Sequence, residues 1–227
     1  MPQHPVLCID GPAAVGKSTV SHILADRLHW LHVDSGALYR SVTWHALQAG
    51  VDCGDTAAVE RLCDSLRVEF VQDAGAVVSV MNGIRLTDEI RTAAVNAAVS
   101  PVATAPGVRA RVTGWLREMR NVGPIVVEGR DIGSVVYPDS PLRFYLDADP
   151  EVRARRRHLE QIQKGLVAPD ASQDATKASL LNRDRIDSTR KTAPLKIADG
   201  ATVIDTTNMT IEEVVQTILD IVRKNGF

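Results

Sequence analysis

Cysteine is sparse in this chain. Cys8, Cys53 and Cys63 form no C-x-x-C pair and no regular framework. An odd, scattered set of three argues against a disulfide scaffold and fits a reducing, cytoplasmic setting. Charge of one sign is also lacking. A formal net charge of −2 leaves no global basic field to draw in nucleic acid or an acidic membrane, so basic chemistry must come from local clusters. No apolar run is long enough to span a bilayer. Met1-Pro-Gln-His-Pro5 has neither the charge nor the apolar segment of a secretion signal, because the chain enters its first strand at once. Internal repeats and low-complexity tracts are missing too. What remains is 227 residues, 44% hydrophobic and 24% charged, enough for a substantial core in one domain with insertions.

Against this background one stretch stands out. Gly11-Pro-Ala-Ala-Val-Gly16-Lys17-Ser18 matches the phosphate-loop pattern G-x-x-x-x-G-K-[ST] in full. The apolar run Val6–Ile9 before it reads as a buried strand, and the amphipathic run from Ser18 to Leu28 reads as a helix, which is the context the motif needs. The glycines let backbone N–H groups approach phosphate oxygens, and the helix N-terminus adds partial positive charge. Lys17 reaches β- and γ-phosphates; Ser18 supplies a ligand for Mg²⁺.

Strand-like and helix-like runs then alternate, which predicts a parallel sheet with helices on both faces. The expected strands are Val6–Asp10, Leu31–Asp34, Ile125–Glu128, Leu142–Asp147 and Thr202–Asp205. The expected helices are Lys17–Leu28, Ala37–Ala49, Pro106–Arg120, Pro150–Lys164 and Thr210–Lys224, with Pro106 and Pro150 in first-turn positions. Two segments break the alternation. Arg67–Gln72, Val77–Met81 and Ile84–Thr87, with turns at Asp73-Ala-Gly75 and Asn82-Gly83, read as a small antiparallel insertion. Gly165 to about Lys177 is polar, carries Pro169 and reads as a loop of lid type, although an ordinary surface excursion fits its composition equally well.

Charged clusters follow the strand ends, where ligands sit in open parallel sheets. Asp34-Ser-Gly-Ala-Leu-Tyr-Arg40 offers Ser35 as a helix N-cap and Arg40 as a phosphate contact; a capped helix with a surface arginine is the plainer alternative. Glu128-Gly-Arg-Asp-Ile-Gly133 offers Arg130 as a second clamp. Asp131 is a carboxylate able to accept from an exocyclic amine such as cytosine N4. A salt-bridged surface turn is the rival. Arg153, Arg156 and Arg157 share one face of a helix, with Arg155 elsewhere; a solvated face is the rival there. Arg183, Asp187 and Arg190 fall on one helical stripe, suited to a sugar hydroxyl and phosphates, or else to a plain ion-pair ladder.

Taken in order, Gly11-Pro-Ala-x-x-Gly-Lys-Ser, Asp34-Ser-Gly-Ala-x-Tyr-Arg40, Glu89-Ile-Arg91, Glu128-Gly-Arg-Asp-Ile-Gly133, Arg183-Asp-x-x-Asp187-Ser-x-Arg190 and Ala193-Pro-Leu195 resemble the bacterial cytidylate kinases over nearly the whole chain. The resemblance implies an α/β phosphate-loop kinase with a central parallel sheet flanked by helices. It also implies a small β-rich insertion at about 60–105, of the kind that sets the bacterial members apart, and a lid at about 158–185. It implies transfer of the ATP γ-phosphate to CMP or dCMP with Mg²⁺. The expected partners are these small substrates, with no nucleic acid and no membrane, and a monomer is expected although the sequence does not give the oligomeric state. Gly11, Pro12, Ala13, Ala14, Val15, Gly16, Lys17, Ser18 and Thr19 would hold ATP, with Ser18 on the metal. Ser35, Ser100, Arg109 and Asp131 match positions at the cytosine. Arg40 and Arg130 match clamps on the acceptor phosphate. Arg183 and Asp187 match positions at the sugar, and Arg190 one near sugar and phosphates. Lys17, Arg130, Arg157 and then Arg153 would be the catalytic cations. The segment Gly165–Lys177 matches no lid sequence, so no residue there takes a role. Asp10 and Asp34 are candidates for the outer sphere of Mg²⁺.

Phosphoryl transfer needs two nucleotides held in line, their charge neutralised and water excluded, and an ionised phosphate acceptor needs no general base. Two alternatives stay open: a kinase for UMP, AMP or a metabolite alcohol, and a nucleotide-dependent switch. The switch is disfavoured because no N-K-x-D guanine motif is present and Asp131-Ile-Gly133 lacks D-x-x-G spacing.

Overall fold

The computed structural model describes residues 4–165, 167–168 and 170–227. Five parallel strands form the centre of the molecule: β1 (Val6–Asp10), β2 (Leu31–Asp34), β6 (Ile125–Glu128), β7 (Leu142–Asp147) and β8 (Thr202–Asp205). β1 lies between β6 and β7, with Ile9 opposite Glu128 on one side and Phe144 on the other. β2 pairs with β6 on its outer side and β8 pairs with β7. All five expected strands therefore form with the expected bounds. The two innermost strands, β1 and β6, are buried on both faces, as crossover helices require, whereas β8 at the sheet edge exposes Val203. Alternation along β1 sends Val6 and Cys8 into one core and Leu7 and Ile9 into the other.

The first core packs the sheet against α2 (Ser35–Gln48), α3 (Thr56–Ser65), α4 (Ala93–Thr104) and α5 (Pro106–Met119). The second packs it against α1 (Lys17–Leu28) and α8 (Ile211–Lys224). In α8, Val214, Val215, Ile218, Leu219 and Val222 recur on one face, and Thr210 with Glu213 closes a reciprocal capping box. Helix α6 (Pro150–Gln163) starts from the Asp149 cap with proline in its first turn.

Several expectations need correction. The antiparallel strands β3 (Val68–Asp73), β4 (Ala76–Met81) and β5 (Ile84–Arg85) are present, but they join the main sheet, since β4 pairs in parallel with β2 at His32–Ala76. Between β5 and α5 lie a 3₁₀ turn, Asp88–Arg91, and α4. Helices α3 and α4 were not expected; α3 is short, and α4 carries Pro101 inside it, a helix breaker by local rules. α2 begins at Ser35 rather than Ala37. The expected loop Gly165–Lys177 is shorter, because α7 (Asp174–Thr189) starts within it; Leu166 and Pro169 of that segment lie outside the described residues. α7 rests on α6 through Thr176 to Gln161 (2.9 Å) and Lys177 to Glu151, and Leu180 packs with Ala154 and Ala13 of the phosphate loop. Among the described residues no helix is long and apolar enough to cross a membrane.

Candidate active site

The phosphate loop joins β1 to α1. Gly11 has φ 145°, and an added Cβ would collide with the Leu146 carbonyl on β7, so glycine alone fits there. Gly16, with φ 94°, is the N-cap of α1 and has no side chain to cap it, so the first-turn N–H groups suit an anionic ligand. Lys17 is buried and its ammonium donates to the Pro12 carbonyl at 2.6 Å. Burial, then the neighbouring Arg130, pushes its pKa well below the lysine range, so a bound polyphosphate would stabilise its charged form. Ser18 and Thr19 are exposed at the mouth of the loop.

Beside the loop stands Glu128, the last residue of β6, to which sequence reasoning gave no role of its own. It is buried, and its Oε1 has no hydrogen-bond partner among the described residues. His32 Nε2 lies 3.4 Å away, an approach close enough for charge interaction but outside hydrogen-bond geometry. Burial raises the Glu128 pKa, but His32, Lys17 and the adjacent Ser18 hydroxyl more than offset this and leave it below the ordinary value. A hydroxyl and an unpartnered carboxylate form the hard-oxygen donor set that Mg²⁺ prefers. Its signal was the position: the carboxyl end of the strand next to β1. Asp10 and Asp34, the expected outer-sphere residues, are otherwise engaged. Asp10 accepts from the backbone N–H groups of Ile132 (2.8 Å) and Gly133 (2.7 Å). Asp34 is the true N-cap of α2, accepting from Ala37 N–H at 3.2 Å, and meets Arg91 at 3.3 Å. This corrects the capping role expected of Ser35, whose buried hydroxyl instead donates to the Glu128 carbonyl at 2.7 Å.

Further out, the expected acceptor residues form a chain of alternating charge. Arg109, 2% exposed, donates to Asp131 Oδ2 at 2.6 Å and lies over the Tyr39 ring. Arg190 donates to Asp131 Oδ1 at 3.2 Å and approaches Asp187 at 3.6 Å. Asp187 in turn accepts from Arg130 Nε at 3.0 Å. The Arg183–Asp187–Arg190 stripe is thus not a surface ladder. Nor is it wholly helical, since α7 ends at Thr189 and Arg190 sits in extended backbone. Arg183 makes no ion pair among the described residues. Burial, then Arg130, lowers its pKa to about 10, and Arg40 and Arg157 add to the effect. Arg40 is lowered by burial too, with Arg91, Arg157 and Arg130 contributing, and it donates to Asn96 on α4 at 2.6 Å. Guanidiniums from α2, the β6 end, α6 and α7 therefore crowd one space, an arrangement that favours phosphate.

Arg153, Arg156 and Arg157 lie on one face of α6 as expected, but they take different partners. Arg153 is buried and donates to Ala148 and Ala13 carbonyls and to Asp184. Arg156 turns to Thr206. Arg157 is half-buried and pairs with Glu160 at 2.8 Å. Asp184, also unassigned from sequence, accepts from Ala13 N–H at 3.3 Å and so ties α7 to the phosphate loop. Ser100 is half-buried on α4.

Residues 7–224 match the family model described as cytidylate kinase. The chain is 45% identical over 222 residues to a cytidylate kinase of Shouchella clausii, covering 97% of this chain and 96% of the relative. It is 42% identical over 219 residues to one of Geobacter sulfurreducens, covering 96% and 93%. A bifunctional pantoate ligase/cytidylate kinase of Prochlorococcus marinus is 42% identical over 224 residues; the match covers 98% of this chain but only 44% of that relative. Among solved structures, TT1252 of Thermus thermophilus aligns over all of both chains with a TM-score of 0.51 at 17% identity, a likeness of fold alone. With a complete phosphate loop, a family model that matches residues 7–224 and relatives at 42–45% identity, the chain belongs to the cytidylate kinase family.

Proposed function

We propose that the protein transfers the γ-phosphoryl group of ATP to CMP or dCMP, with ATP on the loop Gly11–Thr19 and the acceptor across Arg130, Asp131, Asp187 and Arg190. The observation that carries this is the Asp131 carboxylate held between Arg109 and Arg190. Each of its oxygens keeps a lone pair free. Cytosine would offer its amino group to that carboxylate, whereas uracil would turn a carbonyl oxygen toward it. Repulsion or an unpaired buried group is worth about 1–3 kcal/mol, or about 10- to 100-fold in selectivity. Ser35, Ser100 and Arg109 would complete the base site, and Arg40, Arg130 and Arg183 would hold the acceptor phosphate and sugar.

Ser18 and Glu128 would hold Mg²⁺, with the remaining coordination from ATP and water. Bound there, the ion would neutralise charge on the β- and γ-phosphates. Lys17 would leave the Pro12 carbonyl for the transferring group, and Arg157, half-exposed on α6, would follow on a closure of α6 and α7. Arg153, fixed to the loop carbonyl, would hold that closing unit in register. Closure would exclude water and limit ATP hydrolysis.

A coupled assay of ADP formation from ATP against CMP, dCMP, UMP and AMP tests the proposal. CMP and dCMP are expected to lead by at least about tenfold. Equal kcat/KM for UMP would overturn the cytosine assignment, and nucleotide binding without transfer to any monophosphate would favour a switch.

A further inference from the structure

The strongest unassigned group in the molecule is Asp10. It closes β1, one residue before the phosphate loop, and is 3% exposed. Its two carboxylate oxygens accept separately from Ile132 N–H at 2.8 Å and Gly133 N–H at 2.7 Å. Those two N–H groups open the π-type turn Ile132–Val136, in which Val136 N–H reaches Asp131 O at 3.2 Å and Tyr137 N–H reaches Ile132 O at 2.7 Å. The first N–H groups of such a turn have no partner within it, and Asp131 caps none of them with its own side chain. Asp131 is left free to face Arg109 and Arg190 because a carboxylate from another strand does the capping.

We infer that Asp10 is a positioning residue for acceptor selectivity: by capping the turn from β1, it fixes the backbone from which Asp131 projects and ties the base-reading carboxylate to the root of the ATP loop. This rests on the reading of Asp131 as the cytosine contact. The path is short. β1 and β6 are already in register, and Gly129 N–H donates to Ile9 O at 2.9 Å. Between Gly129 and the turn, only Arg130 and Asp131 are unpinned from β1. An asparagine at position 10 keeps the volume but offers one acceptor and one NH₂ to two N–H donors. One buried donor is left facing another, and the turn shifts or loosens.

The test compares wild type, Asp10→Asn and Asp131→Ala by steady-state kinetics with CMP and UMP at saturating ATP, together with KM for ATP. Asp131→Ala should collapse the CMP/UMP ratio of kcat/KM; if it does not, the cytosine assignment itself fails. Given that collapse, Asp10→Asn should lower the same ratio by about tenfold or more through KM for CMP, with KM for ATP within about threefold of wild type. An unchanged ratio in Asp10→Asn, whatever the loss of stability or of overall rate, would overturn the inference, because a merely structural defect lowers both acceptors together.

Should Asp10→Asn be insoluble, the wild-type ratio is followed from pH 7.5 to 5. Burial first, then Asp131, raises the Asp10 pKa against the two N–H bonds and Lys17, to about 6 in all; Cys8 and Tyr145 are the other titratable neighbours. The second phosphate ionisation is common to both acceptors and cancels in the ratio. A fall in the ratio centred near pH 6 supports the inference, and a flat profile overturns it.

Discussion

Replacing Asp187 with alanine separates a structural ion pair from a substrate contact. Asp187 accepts from Arg130 at 3.0 Å and faces Arg190 at 3.6 Å, with its side chain 14% exposed. Its loss leaves Arg130 and Arg190 without this carboxylate, among Arg40, Arg157 and Arg183. Charge-assisted hydrogen bonds contribute about 1.5–3 kcal/mol when buried, and this one is partly solvated, so a loss of about 1–2 kcal/mol is expected. For a chain of this size that lowers Tm by about 2–8 °C, and the enzyme stays folded at 25 °C. If Asp187 grips the acceptor sugar, kcat/KM for CMP should also fall about 10- to 100-fold, since the lost contact is with a charged group. KM for ATP should stay within about twofold, because the phosphate loop is held by Asp184, one turn earlier on α7. Coupled kinetics with CMP and dCMP beside a thermal melt read both effects. A drop in Tm with wild-type kinetics toward both acceptors would refute the sugar contact and leave only the ion pair.

Lys17→Ala should lower turnover by about 10²–10³, with an unchanged or slightly higher Tm, because a desolvated ammonium is removed; near-normal turnover in the folded variant would refute the placement of the γ-phosphate. Gly129→Ala introduces a Cβ 2.6 Å from the Ile132 side chain and 2.7 Å from Ser35 Oγ. It should destabilise by about 1–3 kcal/mol and raise KM for CMP, and a wild-type Tm and KM would show that the strand end yields freely. Asp10 makes stability depend on pH with a defined sign. Its pKa is raised from 3.8 to about 6 in the folded chain, which therefore binds more protons in that window, and the group's contribution falls as pH rises through it. The wild-type chain should thus gain about 1 kcal/mol relative to Asp10→Asn between pH 7 and pH 5; a Tm difference equal at both pH values would contradict the raised pKa.

Local sequence determined the parallel frame and the ATP side of this protein. Strands β1 and β6 are short apolar runs buried along their whole length, and such runs have few other places to go; β2, β7 and β8 flank them and keep a buried apolar face. The phosphate loop is contiguous, so its glycines, Lys17 and Ser18 are legible without knowing what surrounds them. The limits of α1, α5, α6 and α8 were marked by proline, caps and periodicity. Tertiary structure decided the rest, because the remaining choices depend on partners far away in the chain. Helix α4 forms around Pro101 because Val95, Val99 and Val102 find a core to enter. The hairpin β3–β4 becomes part of the main sheet through its contact with β2. A carboxylate read from sequence is only a charge. Whether it becomes a metal ligand, a cap or a base contact depends on which donors the fold brings within 3 Å. Asp10 found two backbone N–H groups more than a hundred residues away, Asp34 capped its own helix, and Glu128 was left beside Ser18 with an oxygen unpartnered.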